Sequence, residues 1–131
     1  MKASELRIGN YLNGKQGPVA VSEIRENNRV KIHDNASSFT VGTCLPFIPL
    51  TEEWLLKFGF HLRDGFSNTF QLNVEKHQYV CSEITYSEKE GLLRFSNGQV
   101  KGATLIPHIK YVHQLQNLYF ALTGEELTLE P

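Results

Sequence analysis

Five histidines, at positions 33, 61, 77, 108 and 113, are the side chains best suited to ligate a metal or move a proton near neutral pH. None is linked to another by HxxxH or HExxH spacing, and no Cys/His pair has the spacing of a zinc site. His108 and His113 are five apart, which on a helix turns them in different directions. A structural or solvent-facing role is therefore expected for each. Cys44 and Cys81 stand far apart without a CxxC motif, the usage of two free thiols in a reducing compartment. The acidic pairs Glu52/Glu53, Glu88/Glu90 and Glu125/Glu126 are local neighbours, whereas carboxylate catalysis needs two groups converging from separated segments. No serine lies in GxSxG or SxxK, and neither GxGxxG nor GxxxxGK occurs. No catalytic residue, cofactor ligand or metal ligand is assigned on these grounds. An enzyme without a recognisable motif stays open as an alternative.

The elements that would position any site are clearest near the C-terminus. Residues 109 to 122 read as a helix, which Gly124 ends with a left-handed residue. At 100° per residue, Tyr111, Val112, Leu115, Leu118, Tyr119 and Leu122 gather on one side, with Lys110, His113, Gln114 and Asn117 opposite. Ile109, His113, Gln116 and Phe120 form a separate row along the boundary, spaced to dock a second element. His113, Gln116 and Phe120 are the expected protein-interaction residues. The competing reading is that Ile109 and Phe120 pack inside the protein.

The first third reads as short strands between turns: Leu6 to Leu12, Val19 to Ile24, Arg29 to His33, and closure near Phe39 to Val41. Asn13-Gly14, Gly17-Pro18 and Asn27-Asn28 supply the turn chemistry. Such spacing predicts a small curled sheet or SH3-like barrel over residues 1–45. Pro46 and Pro49 mark the boundary to a second module over 46–131. That module starts with a short helix near 51–58, with Thr51 as N-cap, Glu52 and Glu53 in its first turn and Gly59 as its stop. An antiparallel meander of about four strands follows within 60–106: alternation of Phe70, Leu72 and Val74, a strand in Tyr79 to Tyr86, and a hairpin about Asn97-Gly98. Leu127 and Leu129 suggest a short last strand. Strands and helices segregated in this way predict α+β, with one sheet face left wet.

Composition narrows the function classes. A chain of 131 residues with a net charge of −1 carries no field that draws it to nucleic acid or an anionic membrane. No window approaches the roughly 20 apolar residues of a membrane span, and the start has no apolar run of signal-peptide length, so a soluble cytoplasmic protein is expected. Residues 1–45 hold six basic side chains against four acidic, and the remainder seven against ten. Arg7, Lys15, Arg25, Arg29 and Lys31, with Tyr11 and Phe39 nearby, could grip a single strand on the first β module. Glu5, Glu23, Glu26 and Asp34 interrupt that patch, and nucleic-acid binding is the alternative rather than the leading reading.

Three blocks, Leu6-Arg7-Ile8-Gly9-Asn10, Ile48 to Phe60 (IPLTEEWLLKFGF) and Lys110 to Glu125 (KYVHQLQNLYFALTGE), resemble a family of small uncharacterised proteins of gut Bacteroidetes and their phages and mobile elements. The resemblance implies a cytoplasmic protein in a prophage or mobile-element context and carries no catalytic residues. The leading expectation is a non-enzymatic interaction module with a protein partner. A homodimer through the open sheet face or the Ile109 to Phe120 row is a further possibility.

Overall fold

A computed structural model describes residues 2–32, 37–62, 69–73, 83–87, 92–96, 104–107 and 109–129. The architecture is α+β: a curled four-stranded antiparallel half-barrel, a second antiparallel sheet and two helices. The chain forms two compact units. The first comprises Met1–Pro49 with Tyr111–Asn117, the second Leu50–Lys110 with Leu118–Pro131. This division differs from a boundary at residue 45, because a segment from the last helix belongs with the first sheet.

The half-barrel contains β1 (Tyr11–Gly14), β2 (Gly17–Arg25), β3 (Arg29–Ile32) and β4 (Ser38–Thr40), each paired with the next. The long strand β2 lends its first half to β1 and its second half to β3, with an irregularity between Val21 and Glu23 where the change occurs. Such bulges bend a strand and raise its twist, which curls the sheet. Asn27 and Asn28, both at φ 59°, make the β2–β3 turn. They can do so because Asn tolerates the left-handed region better than most side chains. Inside the curl, Leu12, Val21, Val30, Val41, Leu45 and Phe47 pack with Ala3 and Leu6.

The sequence predicts a strand from Leu6 to Leu12, whereas the strand begins only at Tyr11. A 3-10 turn at Ala3–Glu5 and a second turn at Ile8–Gly9 precede it. Asn10 is the physical reason: its Oδ1 accepts from the Arg7 N–H at 2.7 Å while its own N–H donates to the Arg7 carbonyl at 3.1 Å. Gly9, at φ 97°, lets the chain reverse there. A side-chain-capped turn outcompetes the extended alternative.

In the second unit, α1 (Glu52–Lys57) starts at Thr51 and stops before Gly59, which is at φ 94°. Thr51 holds the N-cap position, but its hydroxyl makes no capping bond. Trp54 is buried beside Phe58, with the Lys57 ammonium 5.1 Å from its ring centroid. The sheet runs β5 (His61–Leu62), β6 (Thr69–Asn73), β7 (Glu83–Ser87), β8 (Leu92–Ser96) and β9 (Thr104–Ile106) in sequential order. Cross-strand pairing aligns Phe70, Tyr86 and Leu93 on one face and Gln71, Thr85 and Arg94 on the other. Alternation of this kind gives a buried apolar side and a polar side. The Asn97-Gly98 turn, Val74 and residues 79–82 lie outside the described residues. Leu127 is buried, but residues 126–129 form no strand.

The second helix, α2 (Val112–Thr123), begins after Ile109 rather than with it. The Gln114 side chain accepts from the Tyr111 N–H at 3.0 Å and satisfies one donor at the helix start. Gly124, at φ 74°, donates back to the Phe120 carbonyl and closes the other end.

Candidate functional site

Two features of the half-barrel unit bear on function. One is a polar clamp that holds the first half of α2, and the other is an open apolar groove.

The clamp joins residues more than a hundred positions apart. Gln116 is 2 % exposed; its Oε1 accepts from the Tyr11 N–H at 3.0 Å, and its Nε2 donates to the Gly9 carbonyl at 3.3 Å. Asn117 Oδ1 accepts from Asn10 Nδ2 at 2.9 Å and from the Arg7 guanidinium at 3.3 Å, while its amide nitrogen donates to the Glu5 carbonyl at 3.1 Å. The chain at Ile48–Pro49 adds a bridge to Tyr111 and accepts from the Val112 N–H at 2.9 Å. Backbone groups left over by the turns at 7–10 thus find their partners on helix side chains, as buried polar groups must.

His113 stands beside this clamp in a different condition. It is 1 % exposed, its ring centroid lies 4.2 Å from that of Phe47 and 5.8 Å from that of Tyr111, and neither ring nitrogen has a hydrogen-bond partner among the described residues. Burial lowers its pKa from the usual 6.5, and the Glu5 carboxylate opposes part of that shift. His113 was placed by periodicity on the polar side of the helix, but its ring is buried against Phe47 while Gln114 and Asn117 of that side are only half-buried.

His113 and Gln116 were expected on an interaction surface. Both are buried, and Gln116 spends both polar atoms within the unit, so neither offers a surface to a partner. Phe120, in the second unit, is 39 % exposed. The row read from the helix wheel therefore does not act as one surface.

The basic residues of the nucleic-acid alternative are dispersed and largely engaged. Arg7 bonds Asn117; Arg25 pairs with Glu23 at 2.9 Å; Lys31 approaches the same carboxylate at 4.0 Å. The Arg29 guanidinium lies along β4, donating to the Ser38 hydroxyl, the Thr40 hydroxyl and the Ser38 carbonyl. Lys15, in the exposed β1–β2 turn, is the member of the set that borders the groove.

That groove, of about 580 Å³, opens at the end of the half-barrel. Val19, Ile32, Phe39 and Leu45 form its apolar floor, and Val19, Ile32 and Phe39 are only half-buried although they pack against the core. Lys15 and Gln16 from the β1–β2 turn, with Thr43 and Cys44 from the turn after β4, form its rim. Among the described residues its lining includes no carboxylate. A shallower depression of about 610 Å³ borders Lys2, Ser4, Ile24 and Arg25. Sequence reasoning missed the groove because its members come from four separate segments, and only alternate positions on β2 and β3 hinted at their common face.

Among the described residues no group of three or more His, Cys, Asp or Glu side chains converges to hold a metal ion, and no helix is long and apolar enough to cross a membrane. No protein-family model, curated protein or solved structure matches the chain.

Proposed function

We propose that the protein is a non-enzymatic interaction module whose half-barrel takes an extended segment of a partner protein in the apolar groove. The observation that carries this reading is the groove's composition: half-buried Val19, Ile32 and Phe39 beneath a rim that, among the described residues, has the Lys15 cation and no carboxylate. Aliphatic and aromatic side chains left partly wet gain from covering by an apolar anchor, at about 25 cal/mol per Å² removed from water. The Lys15 ammonium favours an acidic neighbour to that anchor and disfavours a basic one. The occupant is accordingly a short extended peptide with an aliphatic or aromatic residue flanked by Asp or Glu. A cytoplasmic setting within a prophage or mobile element, as the sequence resemblance implies, belongs to the same proposal.

Selection of displayed random peptides on the immobilised full chain tests it. The Lys15→Glu/Thr43→Glu variant, changed only at exposed rim positions, serves as the counter-target. Enrichment of apolar peptides with acidic flanks that bind the parent protein and lose affinity for the variant is the expected result. Peptides that bind both proteins equally, or no enrichment, would overturn the reading.

A further inference from the structure

We propose that the first half of α2 is an acid-sensitive latch on the half-barrel, with His113 as the group that releases it.

The latch has two parts, of which only one responds to pH. The Gln116 and Asn117 side chains hold the helix by amide hydrogen bonds to Gly9, Tyr11, Asn10 and Glu5, and amides do not titrate between pH 4 and 8. His113, one helical turn away, contributes a ring packed against Phe47 and Tyr111 and nothing polar that holds it. A neutral imidazole suits that place as a flat, largely apolar body. An imidazolium does not, because it has two N–H donors and a charge where the described surroundings offer no acceptor.

The charged and titratable groups around His113 come from few elements. The 3-10 turn supplies Glu5, whose carboxylate attracts a proton onto the ring but does not outweigh the loss of hydration. Arg7, just beyond that turn, bonds Asn117. Tyr111 contributes a neutral ring, and the Phe47–Ile48 stretch brings no titratable side chain. Nothing among these compensates a second positive charge.

The sign follows from linkage. The docked state holds His113 below 6.5 and the undocked state returns it to about 6.5, so the undocked state binds more protons as pH falls. Docking is complete above 6.5 and weakens progressively below it. The loss levels off once pH passes the lowered value in the docked state. Release frees the Phe47 ring and the Gly9 and Tyr11 backbone groups, so it alters the sheet as well as the helix.

The test is hydrogen exchange of the full chain, read at the Leu115, Gln116 and Asn117 amides and corrected for intrinsic rates, with an NMR titration of the His113 ring. The expected result is a His113 pKa below 6.5 and protection that is lower at pH 5 than at pH 7. His113→Phe, which keeps a ring against Phe47 and Tyr111, should flatten that dependence. Because that variant could fail to fold for steric reasons, Glu5→Gln provides an independent reading: it removes the group that raises the docked His113 pKa, so that pKa should fall further and the loss of protection from pH 7 to pH 5 should deepen. An ordinary His113 pKa, protection equal at the two pH values, or a loss of protection in Glu5→Gln no larger than the parent's would each overturn the proposal.

Discussion

Replacing Gln116 by Leu keeps the volume of the side chain but removes both clamp bonds, and the structure sets the size of the effect. The Tyr11 N–H loses an acceptor at 3.0 Å and the Gly9 carbonyl a donor at 3.3 Å, in a place where Gln116 itself is almost fully buried. A buried polar group left without a partner costs about 1–3 kcal/mol. The carbonyl bond is the longer and Gly9 lies in a turn near the surface, so the lower half of that range applies to it. The expected loss is about 2–5 kcal/mol, large against the ~5–15 kcal/mol by which a domain is stable. The only tryptophan, Trp54, belongs to the second unit, so fluorescence would report the wrong region. Hydrogen exchange at Val21 and Val30, in the paired strands of the half-barrel, reads the right one. Gln116→Glu sharpens the test. A protonated Glu can still donate to the Gly9 carbonyl, whereas a carboxylate cannot and is costly to bury. Its pKa should rise above the ordinary ~4.3, so the variant is close to the parent below that value and falls further behind as pH rises. A Gln116→Leu loss below about 1 kcal/mol, or a Gln116→Glu deficit independent of pH, would show that the clamp does not hold the helix.

Other substitutions probe the remaining elements. Leu12→Ala, at a fully buried position in the half-barrel core, should cost about 2–5 kcal/mol in urea unfolding followed at a half-barrel amide. At Gly14 an added Cβ would lie 2.9 Å from the Gly17 carbonyl oxygen and 3.0 Å from Val19 Cγ1, so Gly14→Ala should lose about 1–3 kcal/mol, readable as a lowered midpoint of unfolding. Arg29→Ala removes three bonds to β4 on an exposed face; the expected loss is at most about 1 kcal/mol, with faster exchange confined to Phe39 and its neighbours. Parent-like exchange at Phe39 would mean that β4 is held by its ladder alone.

The elements legible in the sequence were those whose cause is local. Gly59 and Gly124 stop helices because each takes a left-handed conformation, and Asn27-Asn28 turns the chain for the same reason. Strand alternation gave the apolar face of β6 because it depends only on neighbours two apart. The stretch from Leu6 to Asn10 misled for an equally local reason that apolar counting ignores, the capping capacity of Asn10. Thr51 shows the converse, since it is a good N-cap residue at an N-cap position that makes no side-chain bond.

The clamp was illegible because hydrophobic periodicity treats Gln116, Asn117 and His113 as surface. A helix wheel assigns faces on the premise that polar side chains seek water. Here the surface facing the helix is a turn with unpaired backbone groups, and a turn of that kind is better covered by amides than by leucine. Gln116 and Asn117 are buried or bonded because Gly9, Tyr11 and Glu5 present N–H and C=O groups to their amides. The signal was present in another form. The Leu6–Asn10 block and the block starting at Lys110 stood out separately by sequence, and they are the segments whose residues bond one another. His113 has no such explanation from its partners: it is the buried polar side chain that the clamp leaves unsatisfied. A phenylalanine would fill the same place against these two rings without that penalty, so the histidine's distinguishing property there is its capacity to become charged.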